Sequence, residues 1–200
     1  EEFSTCVYVC EYICRDGGWA MCITEPLKWK LRANTCVAYS FGINNDISFD
    51  LSADALGCTV HAFDHTIDAL PNTTDKTAKH NIKFHKLGLG WSTETHNQLK
   101  SLAQIMHENK DETIDYVKMD IEEHEWGVLS ELLQQNESES ALSKIDQLCL
   151  EIHFTTNEHT HTVEPSEIAT LQALARRFDL YYRDENFRQC PSQLWLPGGG

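Results

Sequence analysis

Residues 36–50 constrain the fold of this chain more than any other stretch, because they combine three local signals in order. Residues 37–41 are a short apolar run with aromatic and β-branched members, which predicts a buried strand. Gly42 ends that run, and the polar residues 44–46 suit a tight turn and a helix N-cap. Residues 47–56 then predict a helix that stops before a glycine. A strand, a small-residue loop and a helix N-terminus form the first unit of a nucleotide-binding α/β sheet.

A second strand is predicted at residues 59–63, and it ends at Asp64. Asp64 lies 22 residues after Gly42, close to the roughly 20 expected for the acid that binds ribose hydroxyls in such folds. A carboxylate suits this role because it accepts two hydrogen bonds from a vicinal diol. The structural alternative is that Asp64 caps the next turn. An NAD-dependent dehydrogenase also stays open on this pattern, although a single loop glycine fits a dinucleotide pyrophosphate poorly.

Length and charge narrow the class of protein. Two hundred residues suit one domain with a core of its own. The net charge is −15 and the 16 lysines and arginines are scattered. A nucleic-acid partner is therefore not expected, because binding phosphates usually needs a basic face. No apolar run is long enough to span a membrane as a helix, so we expect no membrane contact by this segment.

The chain has eight cysteines, which is many for a cytosolic enzyme. None forms a C-x-x-C pair, which disfavours a zinc ribbon or a thioredoxin-type site. An even count with a dense N-terminal cluster is typical of disulfides in an oxidising compartment, and metal binding by that cluster is the alternative. The expected partners of Cys6, Cys10, Cys14 and Cys22 are one another, Cys36 or Cys190. Cys58 and Cys149 fall within predicted strands and are interpreted as buried free thiols.

Two further features bear on the compartment. Asn72 and Asn136 each begin an N-glycosylation sequon in a polar stretch. The chain begins at Glu1 with no start methionine or signal peptide, so we expect that a targeting segment or membrane anchor was removed. Together with the cysteines, these features predict the secretory pathway (the Golgi lumen) or the extracellular space.

The remaining periodicity predicts strands that alternate with helices. Residues 1–35 are interpreted as a cysteine-rich extension packed on the main domain, with Cys6, Cys10 and Cys14 on one face of a helix. The main domain is assigned to residues 36–197, and a tail to 198–200. The other predicted elements are strands at 81–85, 114–119 and 145–154, helices at 97–109, 124–135 and 165–178, and an antiparallel edge pair at 180–183 and 193–196. This order predicts an α/β fold with a mostly parallel sheet and helices on both faces.

Ligands of open α/β sheets bind beyond the carboxyl ends of the strands, so the residues there are the candidates for chemistry. From the first strand to the fifth, they are Gly42, Asn44 and Asp46; Asp64; His85, Lys86 and Leu87; Asp120, Glu122 and Glu125; and Glu151 and His153. Several are the acid and imidazole groups used in acid, base or metal chemistry. The alternative for the acidic run after residue 119 is a charged helix N-terminus, which the helix dipole favours.

Four of these segments, in order, resemble the FkbM-type S-adenosylmethionine-dependent methyltransferases, in the animal methyltransferase-like branch that enters the secretory pathway. They are YSFGINND at 39–46, VHAFD at 60–64, YVKMDIE at 116–122 with Glu125 and Trp126, and DQLCLEIH at 146–153. The resemblance covers about residues 36–196 and implies a class I methyltransferase fold, which is Rossmann-like.

The resemblance also implies site residues. Gly42, Asn44 and Asp46 would shape the methionine and ribose pocket, and Asp64 would bind the ribose hydroxyls. Leu87 and Asp120 are assigned to the same cofactor site, and Asp120 and Glu122 to the reaction side. The sequence departs from the family pattern at Ser40, where many methyltransferases have an acid, at Asp46, which replaces a loop glycine, and at Glu123, which replaces the glycine of the Asp-x-Glu-Gly-x-Glu element.

Methyl transfer to an alcohol needs alignment of the two reactants and removal of a proton. His153 is the candidate general base because its unperturbed pKa lies near neutrality, and Asp120 could orient it. In the alternative, Asp120 and His153 bind a divalent ion, magnesium or manganese rather than zinc, with Glu122 completing the metal shell. A hydrogen-bonded histidine at a strand end is the structural alternative. His159 and His161 are interpreted as solvated loop residues.

The sequence therefore predicts an O-methyltransferase that uses S-adenosylmethionine and takes a glycan hydroxyl as its acceptor. The glycan follows from the resemblance and the compartment, since no residue specifies it. A small-molecule or protein methyltransferase on the same fold is one alternative, and a secreted, catalytically inactive binding module is another.

Overall fold

The computed structural model describes residues 6–8, 19–23, 25–71, 80–91, 98–122, 124–136, 140–154 and 163–183. The strands in these ranges are β1 Cys6–Tyr8, β2 Ala20–Cys22, β3 Cys36–Phe41, β4 Cys58–Phe63, β5 Ile82–His85, β6 Gly88–Leu89, β7 Leu99–Lys100, β8 Tyr116–Met119 and β9 Leu148–Leu150. The helices are α1 Glu25–Ala33, α2 Ser48–Leu56, α3 Leu102–Asn109, α4 Glu125–Gln134 and α5 Pro165–Leu174, with a 3-10 helix at Ala141–Lys144.

Five strands form the central sheet in the order β5-β4-β3-β8-β9, and every pair is parallel. The chain builds outward from β3 through β4 to β5, and then returns to the other side of β3 with β8 and β9. The strand order thus reverses between β3 and β8. This topology confirms the predicted, mostly parallel α/β sheet and is Rossmann-like. A separate parallel pair, β6 with β7, lies outside the central sheet.

Helices cover both faces of the sheet, as predicted. Alternate residues of a strand point to opposite faces, so Tyr39 and Phe41 share one face while Ala38 lies on the other. Tyr39 and Phe41 pack in a buried cluster with apolar side chains of α3 and α4. Ala38 packs in a second cluster with side chains of α1 and α2. The central strands are therefore buried on both sides, which explains their nearly continuous apolar sequence.

The α2 helix begins at Ser48, one residue after the predicted start at residue 47. Ile47 is its N-cap residue and contributes no capping side chain. Asp46 Oδ1 instead accepts a hydrogen bond from the Ser48 backbone N–H at 2.9 Å, which satisfies one free donor of the first turn. Gly57 ends the helix in the left-handed conformation, with φ at 107°, as predicted.

The N-terminal region differs from its prediction. Cys6–Tyr8 forms a strand antiparallel to β2, so the helical face predicted for Cys6, Cys10 and Cys14 is wrong at Cys6, while Cys10 and Cys14 lie outside the described residues. Residues 25–33 form α1, a helix that the sequence reading missed. Pro26 is the second residue of this helix, and proline is tolerated in the first turn because the N–H there has no intrahelical partner.

A disulfide joins Cys36 to Cys58, residues that lie opposite each other at the start of β3 and β4. The interpretation of Cys58 as a free thiol was wrong, because the parallel register places its side chain beside that of Cys36. The expected link from Cys36 to the N-terminal group was wrong for the same reason. Cys22 is also disulfide-bonded, and Cys149 is a free thiol as predicted. Cys190 and Asn72 lie outside the described residues.

Two predicted elements near the end of the sheet are shorter or absent. The fifth strand is reduced to Leu148–Leu150, with Ile145 in a single bridge to Ile114. Residues 180–183 form no strand, and the Tyr181 hydroxyl in this segment donates to the Ala20 carbonyl at 2.8 Å. Residues 193–196, the expected partner strand, lie outside the described residues. The antiparallel edge predicted for residues 180–183 is therefore wrong.

The helix predicted at 97–109 begins at Leu102, because residues 99 and 100 form β7. Ser101 caps it in a reciprocal arrangement with Gln104, in which each side chain accepts a hydrogen bond from the other residue's backbone N–H. Within the described ranges, no helix combines the length and the apolar character that crossing a bilayer requires.

Candidate active site at the carboxyl ends of the strands

The reversal of strand order between β3 and β8 marks the crevice where open α/β sheets bind ligands. Gly42 follows β3 and Asp120 follows β8 at this point. The Gly42 N–H donates to the Phe63 carbonyl at 3.0 Å, and the Asp120 N–H donates to the Phe41 carbonyl at 3.2 Å. Gly42 has φ at 74°. A Cβ atom there would overlap the Asp120 carbonyl oxygen, so this crossing of loop and strand requires glycine.

Asp64, which directly follows β4, anchors the loop after β3. Its Oδ2 accepts a hydrogen bond from the Asn44 backbone N–H at 2.7 Å. Its Oδ1 accepts from the backbone N–H and the hydroxyl of Thr66, at 2.7 and 2.6 Å. Burial raises the pKa of Asp64, but these hydrogen bonds outweigh it and hold the pKa below its usual value. The carboxylate is therefore ionised, and three of its roughly four acceptor sites are used.

Asp120 lies half-buried at the centre of the site. Burial is the main cause that raises its pKa to about 6, and Glu151 and Glu122 add to the shift. Lys118 and His153 act in the opposite direction. A carboxyl group with this pKa exchanges its proton close to neutral pH, which is a property of catalytic acids and bases.

His153 lies three residues beyond β9, and Glu125 orients it. Its Nδ1 is 3.3 Å from Glu125 Oε1, and the same oxygen accepts a hydrogen bond from the Ile121 backbone N–H at 2.9 Å. Glu125 is fully buried in the first turn of α4, so its position is fixed. The contact that orients the ring is thus with Glu125, which was not predicted for this role, whereas Asp120 acts on His153 through its charge.

The other imidazole nitrogen faces the acids of the rim. His153 Nε2 is 3.7 Å from Glu122 Oε2 and 4.0 Å from Glu151 Oε1. Burial lowers the pKa of His153, but the carboxylates of Glu125, Glu122 and Asp120 outweigh it, so the pKa lies above its ordinary value. The raised pKa makes the neutral imidazole a stronger base than an ordinary histidine toward a proton presented at Nε2.

The structure brings Asp120, Glu122 and His153 together, as the sequence predicts. One possible ligand atom from each residue lies within 4.8 Å of the other two. Two carboxylates and one imidazole at this spacing could hold a divalent ion that prefers oxygen ligands. Glu122 has φ at 53°, an uncommon conformation that turns the chain here between β8 and α4.

Two aromatic rings adjoin His153, and the sequence reading did not assign them a role. Trp126 Nε1 donates to the His153 carbonyl at 2.8 Å, and its ring lies 5.6 Å from that of Phe154, centroid to centroid. Phe154 is exposed, with 39 % of its surface accessible. The contact between Trp126 and the His153 backbone depends on the path of the chain after β9, for which the sequence carries no periodic signal.

The other predicted site residues are placed less centrally. Leu87 packs against the α3/α4 cluster, and its N–H donates to the His85 carbonyl at 2.7 Å. The Asp46 side chain is exposed and bonds to the start of α2. His159, His161 and Glu123 lie outside the described residues. The structure thus groups Asp120, Glu122 and His153 on one side of the loop after β3 and Asp64 on the other.

Comparison with known proteins shows to which family this chain belongs. Residues 2–189 match the family model described as a methyltransferase domain, and the chain belongs to that family. It is 29 % identical over 147 residues to the probable methyltransferase-like protein 24 of Homo sapiens, and equally to that of Rattus norvegicus. Each match covers 68 % of this chain and 38 % of the relative, so the chain spans less than two fifths of the relatives' length. No solved structure matches it significantly. The family confirms the methyltransferase resemblance and is compatible with its FkbM-type form.

Proposed function

We propose that this chain is the catalytic domain of an S-adenosylmethionine-dependent O-methyltransferase that methylates a glycan hydroxyl in the secretory pathway or outside the cell. Membership of the methyltransferase domain family supports the reaction class, and S-adenosylmethionine is the general donor of that class. The position of the reactive residues at the reversal of strand order supports the site.

The donor fits the loop between β3 and α2. Asp64 is ionised and keeps one acceptor site of its carboxylate unused by the hydrogen bonds to Asn44 and Thr66, which suits a ribose hydroxyl. Gly42 adds no side chain between the loop and β8, so backbone can approach a ligand there. When bound, S-adenosylmethionine supplies a methyl group that its sulfonium already activates toward a nucleophile.

The geometry of His153 carries the proposal. The Glu125 carboxylate accepts a hydrogen bond from His153 Nδ1 and fixes the ring, which leaves Nε2 to take a proton from an acceptor hydroxyl. Glu122 faces Nε2, and Asp120 has a carboxylate oxygen within 4.8 Å of a His153 ring nitrogen, so both can accept hydrogen bonds that orient the acceptor. An acceptor hydroxyl would pass its proton to Nε2 as its oxygen takes the methyl group, and the methyl–sulfur bond of the donor would break with its electron pair left on sulfur. The buried Glu125 carboxylate would stabilise the imidazolium.

A metal-assisted version uses the same three residues. Asp120, Glu122 and His153 would hold a magnesium or manganese ion, and the ion would acidify the acceptor hydroxyl. In that version His153 is a ligand and not a base. Removal of activity by a chelator, followed by recovery with manganese, favours the metal version, whereas full activity in chelator favours the base.

Three properties of the chain support the compartment and the acceptor class. Disulfides at Cys36–Cys58 and at Cys22 are typical of oxidising compartments. The net charge of −15 and the acidic rim favour an uncharged acceptor over an anionic one. The apolar face of a sugar ring can pack on the aromatic pair of Trp126 and the exposed Phe154. A small-molecule or protein acceptor, and an inactive binding module, are the alternatives.

The test is donor binding followed by methyl transfer. Calorimetry with S-adenosylmethionine, S-adenosylhomocysteine and NAD is expected to give binding to the first two only. A panel of neutral, amino and acidic glycans is then assayed for methyl transfer, with a neutral glycan as the expected acceptor. Donor binding without transfer to any glycan would favour another acceptor class, and no binding to donor or product would favour the inactive module.

A further inference from the structure

Lys118 is a buried cation that the proposed chemistry does not use. It is the third residue of β8, opposite Ser40 of β3, and its exposed surface is 6 %. Burying an ammonium group is costly unless it is paired and hydrogen-bonded. A lysine inside an otherwise apolar strand therefore needs a structural or functional reason.

Its partner is the loop that follows β3. Lys118 Nζ donates a hydrogen bond to the Gly42 carbonyl at 2.8 Å. The same ammonium lies 4.7 Å from the centroid of the Trp19 ring, a distance that allows cation–π attraction. Buried Asp50, in the first turn of α2, interacts with it electrostatically. The ammonium thus connects the end of β3, the start of α2 and the N-terminal segment.

The Lys118 bond completes a set of three anchors on the loop. The Gly42 N–H is held by the Phe63 carbonyl, and the Asn44 N–H by the Asp64 carboxylate. The Gly42 carbonyl is held by Lys118. A hydrogen bond from a charged donor is stronger than one between neutral groups, so the Lys118 anchor contributes most where the loop crosses β8.

We propose that Lys118 is a positioning residue that fixes the Gly42 loop in the conformation that receives the methyl donor. The role rests on the proposed function, because the loop is the donor site only if the chain binds S-adenosylmethionine. Lys118 acts from the α1/α2 face of the sheet, through the backbone of Gly42, and requires no contact with the donor. Asp64 differs from Lys118 in this respect, because its carboxylate both anchors the loop and is placed to contact the donor.

Two substitutions separate this role from simple packing. K118M keeps the length of the side chain and removes the charge and the donor. Removing one member of a buried charge pair is destabilising, because buried Asp50 loses a compensating cation, so the fold of each variant is checked first by thermal denaturation. K118R keeps a cation and N–H donors. K83M is the matched control, because Lys83 is an exposed lysine on edge strand β5.

The first readout needs no ligand. Hydrogen exchange at the backbone amides of residues 42–45 is expected to be at least tenfold faster in K118M than in wild type, and unchanged in K83M. The second readout is donor affinity by calorimetry. K118M is expected to weaken S-adenosylmethionine binding by roughly 10- to 100-fold, the scale for a lost hydrogen bond to a charged group. Donor KM should rise by a similar factor, and the loop role is read from amide exchange and donor affinity, because loss of Lys118 also removes a charge that lowers the pKa of Asp120 and can change kcat.

K118R is expected to bind the donor within about fivefold of wild type, since it keeps the charge-assisted hydrogen bond. Unchanged amide exchange and donor affinity in K118M overturn the proposal, as does a K118R variant that binds as weakly as K118M. If K118M does not fold, the donor affinity of K118R is used instead, and binding weaker than wild type by more than about fivefold overturns the proposal. A wild-type protein that binds no S-adenosylmethionine refutes the proposed function, whereas the exchange measurement still tests the hold of Lys118 on the loop.

Discussion

The carbonyl oxygen of Asp120 occupies the space in which a side chain on Gly42 would lie. Gly42→Ala would have to move the backbone of the loop or of β8, and would also place alanine at a φ of 74°. We expect the substitution to lower the free energy of unfolding by roughly 2–4 kcal/mol, measured by chemical denaturation. The control is Asn45→Ala in the same loop, which is exposed and should change stability by less than about 0.5 kcal/mol. Equal stability of the two variants would contradict the close contact.

The pairing of His153 with Glu125 predicts a graded loss of activity. His153→Ala should reduce kcat by about 10²–10⁴-fold and leave donor affinity nearly unchanged, as for loss of a general base. Glu125→Gln keeps an acceptor for Nδ1 and removes the charge, so its loss should be smaller. Exposed His107→Ala on α3 is the control and should be fully active. Full activity of His153→Ala, with and without chelator, would rule out both the base and the metal role.

Asp64 is expected to contribute to donor binding through its carboxylate. Asp64→Ala should weaken S-adenosylmethionine binding by about 1–3 kcal/mol, the cost of leaving buried polar partners unpaired. Asp64 also holds Thr66, and Thr66→Val, which removes only the hydroxyl bond to Oδ1, controls for the loss of that internal hydrogen bond and should cost less. Exposed Asp68→Ala is the matched control. Donor affinity that is unchanged in Asp64→Ala would refute the ribose assignment.

The Cys36–Cys58 disulfide closes a loop with a sequence separation of 22. Replacing both residues with alanine should lower the free energy of unfolding by about 3 kcal/mol, because the unfolded chain regains the entropy of the open loop. Alkylation of the unfolded protein without reductant, followed by mass spectrometry, should label Cys149 and leave Cys22, Cys36 and Cys58 unlabelled. Labelling of six or more of the eight cysteines would refute the oxidising compartment.

The lowered pKa of His61 predicts that the protein loses stability in mild acid. Burial is the main cause that lowers its pKa from 6.5 to about 4, although Asp111, 3.7 Å from Nε2, opposes the shift. Between these values the unfolded chain binds a proton that the folded chain does not, so stability is complete above pH 6.5 and falls as the pH drops toward 4.

His61→Gln should therefore lose less stability than wild type across that window, by at most about 3 kcal/mol. Denaturation curves at several pH values measure the difference. Groups that shift in the opposite direction, such as Asp120, are common to both proteins and cancel. His107→Gln should keep the wild-type profile, and a His61→Gln profile parallel to wild type would contradict the prediction.

The centre of the fold could be predicted because its signals are local. The apolar run of β3, the glycine after it and the amphipathic helix that follows are adjacent in sequence, and Asp64 and Asp120 end strands of the same kind. Parallel sheets place such strand ends on one edge, so the grouping of Asp120 with His153 followed from topology.

The contacts that could not be predicted from the sequence depend on strand register and on the paths of loops. Cys58 pairs with Cys36 because two parallel strands start level with each other, and neither strand's sequence specifies that register. Glu125 orients His153 because of the path taken after β9, where no periodic pattern exists. Lys118 was visible as a charge inside a strand, but its acceptor is a backbone carbonyl, which carries no sequence signal.

The docking of β2 has a consequence for the design of shorter fragments. The Gln147 side chain both donates to the Cys22 carbonyl and accepts from its N–H, at 2.9 and 2.8 Å. The hydroxyls of Tyr116 and Tyr181 both donate to the Ala20 carbonyl. A fragment truncated before β3 would leave these groups of the catalytic domain without partners and expose the apolar surface that Met21 covers. Trials of expression, crystallisation or activity should therefore keep the chain from residue 6 onward, however dispensable its cysteine-rich start looks in the sequence.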